Sequence, residues 1–461
     1  MMHVHLIGIG GTGLSAIARV LLESGYRVSG SDQTLSTLAQ DVQSLGAQVF
    51  IGHQAENIQG ADLVVRSSAI SDTNVEVAAA LAAGIPVLKR SEFLGRLIAD
   101  RDSIAIAGTH GKTTTTAMIA YLLTALGEDP SYIIGGVAKD LNSNAHAGQG
   151  RSFVIEADEY DRMFLGLHPA IIVLTNLEHD HPDCYPTLEE YRSAFAEFIH
   201  QLKPAGVLLA CADDLAAQQM VEAVPAGCQA FTYGMHENAA YQARNIQVNE
   251  NGDTQFELWN NTPGGSKLLT QVNLTLPGIH NIRNATAALA VIHQVGLPLE
   301  TAAHKMQSFS GTGRRFDILG VVQDITLIDD YAHHPTEIIA TLQAARSRFK
   351  NRRIWAVWQP HTYSRTQTLL DEYVNSFNEA DQVIITEIYA SRESPCDFSS
   401  NEVVVRMSHP NVRYAAALQD AELLLQSELR AGDVVIVLSA GDAAQISANL
   451  LAFLRQKEGL L

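Results

Sequence analysis

The sequence predicts an α/β protein in three consecutive regions, each built on a largely parallel β-sheet. Short apolar runs alternate with helical stretches along all 461 residues, and several of the turns between them are rich in glycine or acids. A chain of this length normally forms two to four domains. We place the regions at residues 1–101, 102–313 and 314–461.

The first region opens with an apolar strand and then repeats a strand-helix pattern typical of a parallel sheet. Strands are predicted at 3–9, 27–30, 63–65 and 86–88, and helices at 14–24 and 76–83. Gly8, Gly10 and Gly13 follow the first strand at the spacing of a dinucleotide-binding fold, and Asp32 ends the next strand. The glycines either bind a pyrophosphate or only allow a tight turn.

The second region begins with buried strands and then changes character. Strands are predicted at 104–107, 153–156, 171–174 and 207–210. Residues 241–276 are polar and alternate in hydropathy, which predicts antiparallel strands at the sheet edge. Asn251-Gly252 is predicted as a hairpin turn within them.

The turn after the strand at 104–107 is the strongest functional signal. Its sequence is Gly-Thr-His-Gly-Lys-Thr at residues 108–113, so it matches the second half of the P-loop pattern. Gly108 and Gly111 allow a tight backbone turn, Lys112 supplies a mobile positive charge, and the Thr113 hydroxyl suits Mg²⁺. We predict a nucleotide phosphate site here, the alternative being an ordinary helix start.

Acidic residues end the strand at 153–156 and continue to residue 161, which favours a bound cation over mutual repulsion. The strand at 171–174 ends with His179, Asp180 and His181 nearby. Parallel strands place both groups beside the Thr113 turn, so Thr113, Glu156 and His181 are candidate metal ligands.

The third region repeats the α/β pattern with strands predicted at 325–328, 354–358, 383–386 and 434–438. Polar residues again gather at strand ends, in the segments 329–336 and 359–365, with Pro335 placed to begin a helix. The carboxyl ends of parallel strands are where active sites of such folds form.

Composition narrows the function classes. The net charge of −19 argues against a nucleic-acid partner, and no stretch approaches the roughly 20 apolar residues of a membrane span. Four separated cysteines without a C-x-x-C pair fit reduced thiols. We therefore expect a cytoplasmic protein without membrane insertion, as a monomer or weak homodimer.

Taken together, these motifs closely resemble the Mur ligases over residues 3–455. Besides the two glycine turns, the resemblance rests on motifs within residues 67–71, 156–159, 175–181, 280–281, 311–316, 330–337 and 359–361. It implies an N-terminal Rossmann-like domain for a UDP-sugar, a central P-loop ATPase domain and a C-terminal Rossmann-like domain for an amino acid. The first glycine turn would then hold the UDP pyrophosphate.

The resemblance implies ATP-dependent, Mg²⁺-assisted joining of L-alanine to UDP-N-acetylmuramate through an acyl phosphate, an early step of peptidoglycan synthesis. By position, the family's catalytic residues fall on Lys112, His110, Asp330, His333 and Arg365. Its nucleotide contacts fall on Gly108, Thr109, His110, Gly111, Lys112, Thr113, Thr114, His280, Asn281, Asn284 and Arg315. Its UDP-sugar contacts fall on Gly10, Gly11, Thr12, Asp32, Ser67, Ser68 and Ala69.

Three alternatives stay open at this point. Tyr160 is shared with the ligase that attaches a whole tripeptide during wall recycling, whereas the segment 359–365 favours a single alanine. A dehydrogenase binding NAD at residues 8–13 would leave Lys112, Glu156 and His181 without a role. A non-catalytic nucleotide switch would leave the polar groups of the third region unexplained.

Overall fold

The computed structural model describes residues 1–250, 252–262 and 264–459 and contains three β-sheets. The predicted α/β architecture is confirmed. All described strands of each sheet fall within one of the three predicted ranges, while the boundaries themselves stay a prediction. Asn251 of the predicted hairpin turn lies outside the described residues.

The first sheet has five parallel strands in the order β3-β2-β1-β4-β5, so the first glycine turn follows the central strand. The strands are β1 (His3–Ile7), β2 (Arg27–Asp32), β3 (Gln48–Ile51), β4 (Leu63–Arg66) and β5 (Val87–Lys89). The helices are α1 (Thr12–Glu23), α2 (Thr37–Ser44), α3 (Val75–Ala82) and α4 (Arg90–Ile98).

The second sheet has ten strands in the order β15-β14-β13-β12-β11-β10-β6-β9-β7-β8. They are β6 (Asp102–Ala107), β7 (Ser131–Ala138), β8 (Ser143–His146), β9 (Ser152–Glu156), β10 (Ile171–Leu174), β11 (Val207–Cys211), β12 (Gln229–Gly234), β13 (Tyr241–Val248), β14 (Thr254–Thr262) and β15 (Gly265–Leu274). The helices are α5 (Lys112–Ala125), α6 (Leu188–Ile199), α7 (Leu215–Gln219), α8 (Ile279–Gln294) and α9 (Leu299–Met306).

Strand pairing explains how the phosphate turn meets the acidic groups. Strand β6 lies between β9 and β10 and pairs with both in parallel, so the ends of all three strands meet at one edge. The antiparallel pairing of β13, β14 and β15 confirms the predicted edge strands.

The third sheet has six strands in the order β16-β17-β21-β18-β19-β20, of which only β16 is antiparallel. They are β16 (Asp317–Val322), β17 (Ile325–Asp330), β18 (Ile354–Gln359), β19 (Gln382–Thr386), β20 (Val412–Ala415) and β21 (Val434–Ser439). The helices are α10 (Pro335–Arg348), α11 (Tyr363–Thr368), α12 (Leu370–Val374), α13 (Asn401–Arg406), α14 (Leu418–Glu428) and α15 (Ala444–Lys457). Pro335 begins α10, as predicted.

The apolar cores are distributed unevenly. One continuous cluster of buried side chains runs from the first region into the central one. The C-terminal region has its own clusters on the two faces of its sheet. The junction between the central and C-terminal regions is correspondingly rich in polar contacts, and the candidate site lies there.

Candidate active site

The phosphate turn between β6 and α5 has the backbone that its glycines require. Gly108 and Gly111 have φ angles of +130° and +83°, and a Cβ on Gly108 would lie 2.1 Å from Thr175 Oγ1. Lys112 Nζ donates to the carbonyl oxygens of Gly108 at 2.5 Å and Thr109 at 3.1 Å. The lysine side chain is thus curled over the turn, where a phosphate group would lie.

An acidic turn, residues 156–159 at the end of β9, supports this lysine. Glu159 is almost fully buried and its carboxylate lies 2.9 Å from Lys112 Nζ. Burial alone would lower the pKa of Lys112, but Glu159 and Glu156 outweigh it and raise that pKa. The lysine therefore stays charged in a mostly enclosed position.

The predicted metal ligands are brought together in part. Thr113 Oγ1 donates to Glu156 Oε1 at 3.1 Å, so two hard oxygen atoms converge beside the turn and fit Mg²⁺. His181 Nε2 lies 3.7 Å from Glu159 Oε1, and its buried Nδ1 has no hydrogen-bond partner. His181 thus reaches the same acidic turn through Glu159.

His110 joins the central and C-terminal regions. Its Nε2 lies 3.2 Å from Glu178 Oε2, and its Nδ1 lies 3.1 Å from Glu337 Oε1 on α10. Burial alone would lower the pKa of His110, but the two carboxylates raise it to about 9. The imidazole is therefore a cation that links the two regions at neutral pH.

Arg365 makes a second, buried link. Its Nε donates to Asp180 Oδ1 at 2.8 Å, and both side chains are almost entirely buried. Burial alone would raise the pKa of Asp180, but the guanidinium holds it well below its usual range. Arg365, predicted from the resemblance to be catalytic, thus has a partner inside the protein.

Asp330 and His333 lie at the end of β17 in the same junction. Asp330 accepts hydrogen bonds from the amides of Phe316 at 2.6 Å and Ala332 at 2.7 Å. Burial raises the pKa of Asp330 to about 6, although Arg315 opposes the shift. Burial lowers the pKa of His333 to about 3, so this imidazole is neutral.

A cavity of about 280 Å³ lies between the phosphate turn, the start of α8 and the C-terminal region. Most of the predicted nucleotide contacts line it, namely His110, Gly111, Thr113, Thr114, His280, Asn281, Asn284 and Arg315. Asn281 and Asn284 are not helix caps, because α8 is capped by Gly278 and Asn281 donates back to the Pro277 carbonyl.

The first glycine turn lies at the carboxyl edge of the first sheet, apart from this cavity. The Gly10 amide donates to Asp32 Oδ2 at 2.9 Å, and Gly8 has a φ of +92°. Gly11 and Thr12 at the start of α1 are exposed, and so are Ser68 and Ala69, which follow half-buried Ser67 after β4. These groups bring the predicted UDP-sugar contacts to one sheet edge.

Arg90 was not among the UDP-sugar contacts predicted from the sequence. A Cβ added to Gly13 would lie 1.8 Å from Arg90 Nη1, so the guanidinium covers the start of α1. Its Nη2 lies 3.2 Å from Asp158 of the acidic turn, and its buried Nε has no hydrogen-bond partner. The separation of Arg90 from the glycines by about eighty residues hid this contact.

Glu178 and Glu337 were also missed as functional residues. Both lie inside motifs that the resemblance used, at residues 175–181 and 330–337. Their motif positions were a signal, but their shared contact with His110 depends on how two regions dock.

Three family models match the chain in sequence order. A Mur ligase family catalytic domain matches residues 3–102, a Mur ligase middle domain matches 106–292, and a Mur ligase glutamate ligase domain matches 314–441. The chain belongs to the Mur ligase family. Mur ligases are ATP-dependent ligases, so this protein is an enzyme that uses ATP, and the dehydrogenase and switch hypotheses are wrong.

Similar proteins agree with this membership. A UDP-N-acetylmuramate--L-alanine ligase of Syntrophotalea carbinolica is 42% identical, covering 99% of this chain and 98% of its own. One of Alkaliphilus metalliredigens is 39% identical, with 98% and 97% covered.

Solved structures of Mur ligases have the same fold. A UDP-N-acetylmuramate-alanine ligase from Thermotoga maritima superposes with a TM-score of 0.83 at 27% identity, covering 99% of this chain and 100% of that one. A murein peptide ligase from Psychrobacter arcticus gives a TM-score of 0.72 at 26% identity, with 98% and 99% covered. In the part of this Mur ligase that the structure describes, no helix is long and apolar enough to cross a membrane.

Proposed function

We propose that this Mur ligase joins L-alanine to UDP-N-acetylmuramate, with release of ADP and phosphate. The relatives that are about 40% identical over nearly the whole chain carry this activity in their names. The observation that carries the proposal is the cavity, because phosphate-turn residues line one side and Arg315 and Asp330 of the C-terminal region line the other. The reaction belongs to peptidoglycan precursor synthesis, and we place it in the cytoplasm.

At the ATP end, Lys112 would contact the phosphoryl oxygens, and Gly111 and Thr114 would donate from the start of α5. Thr113 and Glu156, with His181, would hold Mg²⁺, which would neutralise charge on the transferring group. His280, Asn281, Asn284 and Arg315 would contact the rest of the nucleotide.

At the sugar end, Gly10, Gly11 and Thr12 would contact the UDP pyrophosphate at the start of α1. The Asp32 carboxylate would accept a hydrogen bond from a ribose hydroxyl. Ser67, Ser68 and Ala69 would line the same edge. Arg90 joins this set, because its guanidinium lies over Gly13 and can form two parallel bonds to a phosphate.

At the amine end, the carboxylate of the sugar would attack the γ-phosphate and displace ADP. The amine would then attack the carbonyl carbon of the acyl phosphate and displace phosphate. His110 belongs to the phosphate turn and contacts Glu337 on α10, so its positive charge would stabilise the acyl phosphate. His333 and Asp330 would face the amino acid, and Arg365 would hold the junction closed through Asp180.

Tyr160 is the residue that kept the tripeptide alternative open. Its hydroxyl donates to Asp183 Oδ2 at 3.1 Å, and Arg392 lies 4.2 Å above its ring. These contacts occupy the side chain at the rim of the junction. We therefore favour the single alanine.

Phosphate release from ATP in the presence of UDP-N-acetylmuramate tests the proposal. We expect release on addition of L-alanine, with less from glycine or L-serine. Release with the tripeptide alone would contradict the alanine assignment. Equal release with and without an amine would show that phosphate release is not coupled to amide formation.

A further inference from the structure

Two imidazoles and one carboxylate converge where the central and C-terminal regions meet. Ligand atoms of His110, Glu178 and His334 all lie within 4.8 Å of one another. Glu178 Oε2 lies 3.2 Å from His110 Nε2 and 3.6 Å from His334 Nδ1. Ligands bound tetrahedrally at about 2.0–2.2 Å stand about 3.4 Å apart, so both distances suit a shared metal ion.

His334 is in the form that binds metals. It is 5% exposed, and burial lowers its pKa to about 4, so the ring is neutral. Nδ1 accepts only a long hydrogen bond, 3.3 Å, from the Thr336 amide, which places the ring proton on Nε2. The Nδ1 lone pair therefore lies close to the Glu178 carboxylate, an arrangement that a cation would stabilise.

The surrounding charge also favours a cation. Glu178 and Glu337 lie on either side of His110 and increase its affinity for a proton. The same field attracts a metal ion, which would take the place of the Nε2 proton while that proton passes to water. Glu337 would keep its bond to Nδ1 and orient the ring, as outer carboxylates do for metal-bound histidines.

We propose that His110, Glu178 and His334 form a binding site for a transition-metal ion such as Zn²⁺ or Co²⁺. Two imidazoles and one carboxylate favour such ions over Mg²⁺, and three protein ligands leave one position open. The site is separate from Thr113 and Glu156. A bound ion would connect the central region to α10 and so hold the junction closed.

Co²⁺ titration of the metal-stripped full-length protein in excess Mg²⁺ tests the site. We expect one equivalent to give the strong visible absorption of tetrahedral Co²⁺, reversed by Zn²⁺. His334→Gln should weaken Co²⁺ binding at least about tenfold, since even outer-shell changes alter metal affinity by roughly 10–100-fold. The control His304→Gln, an exposed histidine of α9, should bind as the wild type does.

Two further variants decide the location of the ion. Glu178→Gln should also weaken binding, which guards against a folding defect in His334→Gln, and circular dichroism checks both. Loss of the absorption in His181→Gln, with His334→Gln unaffected, would move the ion to the phosphate turn and overturn the proposal. Absence of tetrahedral absorption in the wild type would overturn it as well. No nucleotide or sugar is present, so the result is independent of the proposed ligase reaction.

Discussion

The protein has two glycine turns of similar design, residues 8–13 and 108–111, and each has a cation supplied differently. Lys112 is the first residue of its own helix and pairs with nearly buried Glu159. Arg90 comes from α4 and pairs with half-exposed Asp158. Both carboxylates belong to one acidic turn. The backbone is suited to a phosphate in both places. Lys112 and Arg90 are similarly buried, and the two turns differ in the burial of the carboxylate that pairs with each cation.

Replacing Lys112 should have the largest effect on activity. Lys112→Ala should lower phosphate release at least about 10³-fold, because the developing phosphoryl charge loses its main protein partner. Calorimetry should show UDP-sugar binding unchanged. Lys305→Ala, an exposed lysine of α9, is the control. Loss of UDP-sugar binding in Lys112→Ala would show that the two turns are not separate sites.

Removing the negative charge of Glu159, which pairs with Lys112, should have a smaller effect. Glu159→Gln leaves a buried ammonium group without its carboxylate, and we expect destabilisation of about 2 kcal/mol, typical of a lost charged hydrogen bond. The shift of the urea midpoint measures it. An unchanged midpoint would mean that the Gly108 and Thr109 carbonyls alone keep the lysine in place.

Arg90, the cation that α4 supplies to the first glycine turn, should affect UDP-sugar binding more than turnover. Arg90→Ala should raise the KM for UDP-N-acetylmuramate about tenfold, equivalent to about 1.4 kcal/mol, with little change in kcat. Asp158→Asn, which removes only the half-exposed partner, should change KM by less than about threefold. A drop in kcat with unchanged KM in Arg90→Ala would show that the first turn also takes part in the reaction.

The remaining prediction concerns pH and only the second turn, which contains His110. Folding raises the pKa of His110 from 6.5 to about 9. Its contribution to stability is therefore fully present below the lower value and is lost as pH rises through the higher one. The midpoint temperature of thermal unfolding should fall by a few degrees as the pH rises from 6.5 to about 9. His110→Asn should remove that part of the pH dependence, and the same slope in this variant would assign it to other groups.

Most buried strands were predictable from the sequence, whereas short or partly buried strands were often missed. Strand β10 has the predicted bounds. Most other predicted strands extend one or two residues further where polar residues such as Ser31, Asp102 and Gln359 continue the pairing, whereas β1 ends two residues before the predicted end. Strands β3, β7, β8, β12, β16 and β20 were missed. Apart from β7, most of their residues are only partly buried or exposed. Apolar periodicity marks burial on both faces, which such strands lack.

The residues of the candidate site also fall into two groups, those that a local motif predicts and those whose contacts depend on the tertiary fold. Residues within one motif, such as Lys112 and Thr113, could be placed beside the phosphate turn because the local sequence determines their position, while their roles stay a prediction. Arg90 could not, because its contact with Gly13 depends on where the fold places the start of α4 relative to the first glycine turn. The pairing of Arg365 with Asp180 likewise depends on two regions docking, and it leaves the predicted substrate role of this arginine a proposal.

The separate cores of the molecule have a consequence for its response to salt. The first and central regions share one apolar cluster, and apolar contact is insensitive to moderate ionic strength. The central and C-terminal regions meet through His110, Glu337, Asp180, Arg365 and their neighbours. These pairs are largely buried, and dissolved ions screen buried pairs much less than exposed ones. Moderate potassium chloride should therefore leave both junctions closed, and the C-terminal region should not separate from the other two.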